Sequence, residues 1–589
     1  MLSGPGLISG VVAAVVLSSA ALRGEDVEEA RQLFSRGKYA ECAAASTRAI
    51  EGGSSTESWY LLKLRSQLTV GDDHGALETL EAALEKHPSS IKLRWLGRAA
   101  YRRNDETERA KVTLLEIERL IRRAPWSYRE PASRVVVGRF LLERGADARE
   151  VLEAVYDPIK KERPELVDAY VASGDLALEK HDYGVAVQEF ERALKYAPGE
   201  PDILSRLARA RAEGDAEAAE KSLHAALERN PNHADSLLLR IDGAIDREAY
   251  EEARELVARV LDVHSTHPGA LSYRAVMAHL AGDYEAEEKA RAAALRHWST
   301  NPGVDHLIGR KLSQKYRFRE GAAYQRRALA FDENHLAAKM QLCQDLLRLG
   351  REEEGWRLAD EVYEEDGYNV VAHNLNTLHD RLSTFRTLEA EGLIVRMDPH
   401  EAAVYGERVL DVLVRARATL CPRYGVDLDG PVVVEIFPEQ KDFAIRTFGL
   451  PGGAGFLGVC FGSVITANSP ASRGESPSNW ESVLWHEFCH VVTLHKTRNR
   501  MPRWLSEGIS VHEEKLANRA WGQTMTPQYL EIIEEGGLTP VSRLSGAFLQ
   551  PPSALHLQFA YYESSLVVEF LIARHGFDSL KAVLSDLAE

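Results

Sequence analysis

The chain has 589 residues, a formal net charge of −17, 44% hydrophobic and 27% charged residues. That length holds more than one folding unit. The acidic balance and the lack of a sustained basic stretch argue against nucleic acid, or an anionic membrane surface, as partner. The five cysteines (Cys42, Cys343, Cys421, Cys460 and Cys489) are scattered, odd in number and free of C-x-x-C spacing, so no disulfide framework is expected.

Residues 7–22 are apolar and rich in small side chains, and Ser18-Ser19-Ala20 offers a small-residue cleavage site. Residues 1–22 are therefore expected to be an export signal, placing the mature chain in the periplasm or outside the cell. Residues 1–6 lack the usual Lys or Arg. An uncleaved anchor is the alternative, and it is the one route to a membrane. The segment is at the short end for a span, which needs about 20 apolar residues.

A repeat follows. Tyr170, Gly174, Ala186, Phe190, Ala193 and Pro198 place an aromatic, small residues, a second aromatic and a terminal proline in one unit. The turn position at Tyr183 recurs at Ala216, Tyr250, Tyr284, Phe318 and Glu352, at near-equal intervals of about 34 residues. Tyr39, Asp73 and Thr107 suggest earlier, more degenerate copies. Pro198, Pro231, Pro268 and Pro302 mark repeat ends. This resembles the tetratricopeptide repeat (TPR) family over residues 26–375. Each helical pair buries its small-residue face only against its neighbours, so the copies stack into a superhelix with a concave surface. The resemblance implies a docking scaffold for a protein partner on that surface, or a spacer.

Residues 380–470 read as mixed α and β. Leu393–Met397 is a short expected strand, 401–420 an amphipathic helix with Val404, Val409, Leu410, Val412 and Leu413 apolar, and Val432–Phe437 a strong strand stopped by Pro438. Residues 455–467 alternate loosely. The G-x-G-x-x-G at 453–458 has no strand leading into it and opens no helix, so it is a turn and a thin strand rather than a dinucleotide fingerprint.

Trp485-His486-Glu487-Phe488-Cys489-His490 is the most informative stretch. On a helix, positions 486 and 490 stack on one face, so both imidazoles can hold one Zn²⁺. Glu487 is then beside the ion, where a general base is needed. Val483, Leu484, Phe488, Val491, Val492 and Leu494 give the helix an apolar body, and Ser478 with Glu481, after Pro477, predicts a capping box at its start. Cys489 is expected to face away from the histidines. A third ligand is needed. His495 has the wrong spacing for a metzincin; His512 and Glu513 lie further along; Glu507, in Pro502-Arg503-Trp504-Leu505-Ser506-Glu507-Gly508, opens a second helix and is the best candidate.

These residues resemble the gluzincins, closest to the bacterial peptidase MA-like branch. The resemblance implies a zinc peptidase with Glu507 as third ligand, Glu487 as general base, and Glu514 as a residue that orients a ligand. It also implies an oxyanion donor in Phe559-Ala560-Tyr561-Tyr562-Glu563, where Tyr561 fits and Tyr562 is the neighbouring alternative. The edge strand of a small sheet should line the cleft. The stretch between His490 and Glu507 is shorter than in thermolysin and the aminopeptidases, a departure that the short connection at 497–500 accounts for. The chain stops at 585–589 inside an expected helix, as a fragment would.

The expected architecture is thus an α-solenoid (TPR superhelix, 26–375) followed by an α+β zincin-like domain (380–589). The expected function is zinc-dependent hydrolysis of peptide or protein substrates. The alternative is a catalytically silent TPR interaction scaffold whose zinc domain only binds.

Overall fold

The computed structural model describes residues 26–453, 455–473, 478–549 and 551–589. The expected signal at 1–22 and Pro477 lie outside the described residues. Among the described residues no helix is long and apolar enough to cross a membrane.

Antiparallel helix pairs run from Val27 to Leu382. The second helices of the pairs begin at Tyr39, Asp73, Thr107, Tyr183, Ala216, Tyr250, Tyr284, Phe318 and Glu352, the positions picked out by periodicity. Their cores are alanines and single large side chains; Ala186, Phe190 and Ala193 are fully buried within one repeat. Between 124 and 166 the repeat breaks down. Two short α-helices, Ala148–Val151 and Asp157–Glu162, flank a π-helical turn at Leu152–Tyr156, where Tyr156 is fully buried.

The turn inside eight of these nine repeats carries a left-handed residue, at 37, 71 and 105, again at 181, and then at 248, 282, 316 and 350, while the turn before Ala216 does not. Glycine fills it at Gly37, Gly71, Gly282 and Gly350; Asp105, His181, Glu248 and Tyr316 fill the others. A side chain in that conformation costs about 1–2 kcal/mol.

The superhelix closes on itself. Ser35 Oγ donates to Glu200 Oε2 at 2.9 Å, Asn230 Nδ2 donates to Tyr39 OH at 2.9 Å, and the Ser299 amide donates to Asp105 Oδ1 at 3.0 Å. Lys180 pairs with Asp366 at 2.8 Å. Each contact joins one turn of the coil to the next.

The C-terminal part is built on a mixed five-stranded sheet: β1 (Arg386–Ala390), β2 (Leu393–Met397), β3 (Val432–Phe437), β4 (Gly458–Cys460) and β5 (Val464–Asn468), in the order β1-β2-β3-β5-β4. β2, β3 and β5 are parallel, while β1 and β4 run antiparallel at the edges. β3 is buried along its whole length. Its alternate side chains go to different places, as the two-residue strand period requires. Val432, Val434 and Ile436 pack on the C-terminal helices, while Val433 and Phe437 pack on the last repeats with Met340, Leu346 and Trp356. Between them Glu435 is held by Arg446 at 2.7 Å and Arg396, which also reaches Glu352 of the last repeat. A strand covered on both faces reads as a continuous apolar run, and here the repeats cover the second face.

Three sequence expectations change. The helix expected at 401–420 runs Pro399–Tyr424, and Val404, assigned to its apolar face, is 70% exposed. β1 was not expected; its sequence is half polar and its residues are exposed or half-buried at a sheet edge. The cap of the histidine helix (Trp480–Lys496) is Asn479, whose side chain accepts from the Ser482 amide, rather than Ser478; Glu481 is instead taken by Arg408 at 2.9 Å.

Candidate metal site

Two helices make the site. The histidine helix presents His486 and His490 one turn apart, with ring centroids 4.7 Å apart. The glutamate helix (Arg503–Ala517) crosses it and brings Glu507 to both. His486 Nε2 lies 3.0 Å from His490 Nε2 and 3.2 Å from Glu507 Oε2; His490 Nε2 lies 3.3 Å from the same oxygen. Among the described residues these three form the one group of His, Cys, Asp or Glu side chains close enough to share an ion, with their ligand atoms within 4.8 Å of one another.

The surroundings orient the two imidazole rings. Glu514 Oε1 lies 2.6 Å from His486 Nδ1. A carboxylate accepts, so Nδ1 is assigned as the donor to Glu514, which leaves Nε2 as the ring nitrogen turned toward Glu507. Glu514 is itself fixed by the Ser482 hydroxyl. Ser506 Oγ lies 2.8 Å from His490 Nδ1, with Ser510 Oγ at 3.3 Å, and orients the second ring; a hydroxyl serves as donor or acceptor there. Such partners orient metal-binding imidazoles and raise their basicity. Ser482, Ser506 and Ser510 were not singled out from sequence, because a serine in a helix carries no spacing signal.

Electrostatics favour positive charge here. Burial works against a charged His486, but the carboxylates of Glu507 and Glu514 outweigh it and push its pKa well above the ordinary value. For Glu507, burial is offset by His490 and His486, and the carboxyl is held well below the usual range. Glu487 faces the same cavity; burial raises its pKa against the pull of His490 and His486. Its Oε2 is buried without a hydrogen-bond partner. An unpaired buried carboxylate oxygen is costly and marks a place where a further donor belongs. Two imidazole nitrogens, one carboxylate and an adjacent unsatisfied carboxylate are a chemically suitable set for Zn²⁺ with an open position.

β4 forms one wall. Gly458, Val459 and Cys460 line the cavity, as expected of the edge strand. A Cβ at Gly458 would sit 2.8 Å from Glu487 Cγ, so only glycine lets the strand approach this closely. Tyr561, on the helix Ala554–His575, lines the opposite side, 6.2 Å between ring centroids from His486. Burial, then Glu507 and Glu487, push its phenol pKa well above 10, so it remains a proton donor. Tyr562 points elsewhere and stacks on Tyr529 at 5.2 Å, which removes the alternative.

The other ligand candidates are not at the site. Glu513 is buried against Tyr424 OH at 2.7 Å and Arg423 Nε at 2.8 Å. His512 approaches Glu569 at 3.9 Å. Cys489 is fully buried and does not line the cavity, as expected.

The repeats reach the site as well. The cavity, of about 120 Å³, is lined by Glu248, Gln314, Lys315 and Tyr316 from two repeat turns in addition to the residues above. Asn499 Nδ2 ties the loop after the histidine helix to the Tyr316 carbonyl at 2.8 Å. Sequence reasoning missed all four repeat residues, since they lie far upstream of the motif and belong to a different repeating pattern.

Comparison with known proteins bears on the repeats. A tetratricopeptide repeat family model matches residues 171–213 and 209–262. These residues are tetratricopeptide repeats. The repeats make the chain a protein-interaction scaffold. Several solved structures are similar over the helical part. The Cut9–Hcn1 hetero-tetramer of the APC/C is 15% identical, covering 59% of this chain and 68% of that one at a TM-score of 0.36. A human IFIT1 dimer with PPP-AAAA is 14% identical, covering 61% and 91% at 0.32. Yeast Tom70 is 13% identical, covering 62% and 90% at 0.30. No curated protein matches the chain.

Proposed function

We propose that the C-terminal part is a gluzincin-like zinc peptidase docked on its own TPR scaffold. One observation carries the reading: His486, His490 and Glu507 converge on one point beside the unpartnered carboxylate of Glu487. His486 Nε2, His490 Nε2 and Glu507 Oε2 would hold Zn²⁺. When bound, zinc supplies Lewis-acid polarisation of water and of the scissile carbonyl. Glu487 takes the proton of the attacking water and delivers it to the leaving amine as the C–N bond breaks. Its raised pKa, caused first by burial, suits both halves of that task. Tyr561 donates to the carbonyl oxygen as negative charge grows there. Glu514 and Ser506 hold the imidazoles in place. The edge strand β4 offers backbone groups alongside, to which an extended substrate can pair.

A second reading is a silent scaffold whose zinc site only binds. It is favoured by the family match, which covers repeats and none of His486, Glu487, His490, Glu507 and Tyr561. Export of the chain is proposed on the N-terminal sequence alone; a mature N-terminus near Ala21 in protein from the native host supports it, and an intact Met1 in a soluble cytoplasmic fraction overturns it.

The deciding experiment measures zinc and cleavage together. The purified protein is expected to carry one Zn²⁺ per chain, lost in His486→Ala and in Glu507→Ala and kept in Glu487→Gln. On a peptide library the wild type is expected to cleave, and Glu487→Gln to be slower by about 10²–10⁴-fold. Zinc bound with no cleavage of any peptide favours the silent scaffold. Cleavage that survives Glu487→Gln assigns the activity elsewhere.

A further inference from the structure

Two of the four repeat turns without glycine at the left-handed position lie at the cavity. Four repeats place glycine at the left-handed position, the residue that adopts it without strain. Glu248 (φ 63°) and Tyr316 (φ 64°) occupy the same position with large side chains, and both line the metal cavity. These two turns line one side of the site, while Asp105 and His181 hold the same conformation away from it. Tyr316 is packed there on Phe318 at 5.2 Å and Phe461 at 6.4 Å between ring centroids.

The cavity also holds a free cation. Arg503 opens the glutamate helix four residues before Glu507. The two share a helix face about 6 Å apart along the axis, and both line the cavity. Arg503 lines the cavity and, among the described residues, its side chain has no ion pair or hydrogen bond. The other cation of the cavity is neutralised: Lys315 Nζ pairs with Glu248 at 3.2 Å and reaches the Asp246 carbonyl at 3.4 Å. Arg503 lies near both cavity tyrosines. Burial pushes the Tyr316 phenol up to about 12, with Arg503 the main opposing influence, and Arg503 also opposes the rise at Tyr561. Phe456, Val459, Leu494 and Met501 add an apolar patch to the lining, which also carries Gln314, Asn499 and Ser506.

Resting on the peptidase reading, we infer that the cavity takes the carboxyl end of a peptide, with the terminal carboxylate on Arg503 and the last side chain against the apolar wall. A guanidinium suits a carboxylate through paired N–H donors. A space of about 120 Å³, lined by Tyr316 and Glu248 among others, holds about one side chain beside Arg503. The activity is then removal of C-terminal residues: water adds to the penultimate carbonyl, the last C–N bond breaks, and the proton goes to the released amino acid's nitrogen.

The test separates binding from turnover. Zinc-loaded Glu487→Gln protein is titrated by fluorescence anisotropy with one apolar peptide in three forms: free acid, C-terminal amide, and amide with an internal Glu. The free acid is expected to bind on the order of 10–100-fold tighter than the amide, the range of a hydrogen bond to a charged group. Arg503→Gln in the same background is expected to erase that difference with zinc content unchanged, and Arg503→Lys to restore part of it. Equal binding of acid and amide, or a preference that survives Arg503→Gln, overturns the inference. Tight binding of the internal-Glu amide keeps Arg503 as a carboxylate site but moves the carboxylate to a side chain and overturns the exo-acting assignment. If wild type cleaves none of the three while the acid preference stands, the peptidase reading falls and the carboxylate site remains.

Discussion

The solenoid and the C-terminal part hold together in different ways. In the solenoid, the contacts that make each repeat are short in sequence: Phe190 is buried within its own helical pair beside Ala186 and Ala193. In the C-terminal part they are long. β3 draws Val434 and Ile436 into one core with Phe488 and Ile509, and Val433 and Phe437 into another with Phe318, Met340 and Trp356 of the repeats. The sheet is therefore finished by the scaffold, and the cavity has walls from both regions. A repeat array alone would lose stability one neighbour at a time. Here the last repeats and the candidate metal site are expected to stand or fall together.

The largest effect should separate these two kinds of core. Phe190→Ala and Phe437→Ala each remove a fully buried ring, at a cost of about 3–5 kcal/mol. Phe190→Ala is expected to lower the thermal midpoint with zinc stoichiometry intact, while Phe437→Ala lowers both. Calorimetry with zinc analysis reads this; full zinc in Phe437→Ala would break the shared-core account.

Next comes Tyr561→Phe, expected to slow turnover by about 10²–10³-fold, the value of one oxyanion donor, while leaving zinc content unchanged. Tyr562→Phe, which alters only the stack on Tyr529, serves as the comparison and should leave turnover near wild type. Equal effects at the two positions would remove the assignment.

Glu514→Gln keeps the shape and loses the charge that faces His486 Nδ1. Zinc affinity is expected to fall by about 10–100-fold, measured by competition with a chelator. An unchanged affinity would reduce Glu514 to a structural partner of Ser482.

A further contrast lies in the solenoid, where the effect is spread over several pH units. Burial raises the Asp345 carboxyl from 3.8 to about 7, against the pull of Arg348, Ser313 and Gln341. The folded state keeps a proton that the unfolded chain releases near pH 4. The contribution to stability is therefore whole below about pH 4 and is lost as pH rises through about 7. Asp345→Asn is expected to flatten the loss of stability between about pH 4 and 7, by at most about 1.4 kcal/mol per pH unit. Parallel pH profiles for wild type and variant would show that Asp345 titrates normally.

Much of the molecule was legible in the residues themselves. The repeat register was, because a helical pair repeated at a fixed period forces the same residue types to the same turn, and the second helices start at the positions it marked. So was the face shared by His486 and His490, since four residues make about one helical turn. Tertiary structure decided the rest. It brought Glu507 rather than Glu513 to the histidines, because the crossing of two helices, not spacing along one, chooses which acid arrives. It turned Tyr561 inward and Tyr562 onto Tyr529. It covered β3 on its second face with the repeats, and it set Tyr316 and Glu248 over a site much further along the chain. Periodicity is a property of one element and is written locally. Which elements meet depends on how the superhelix coils, and that is the sum of many small packing angles that no single stretch of sequence carries.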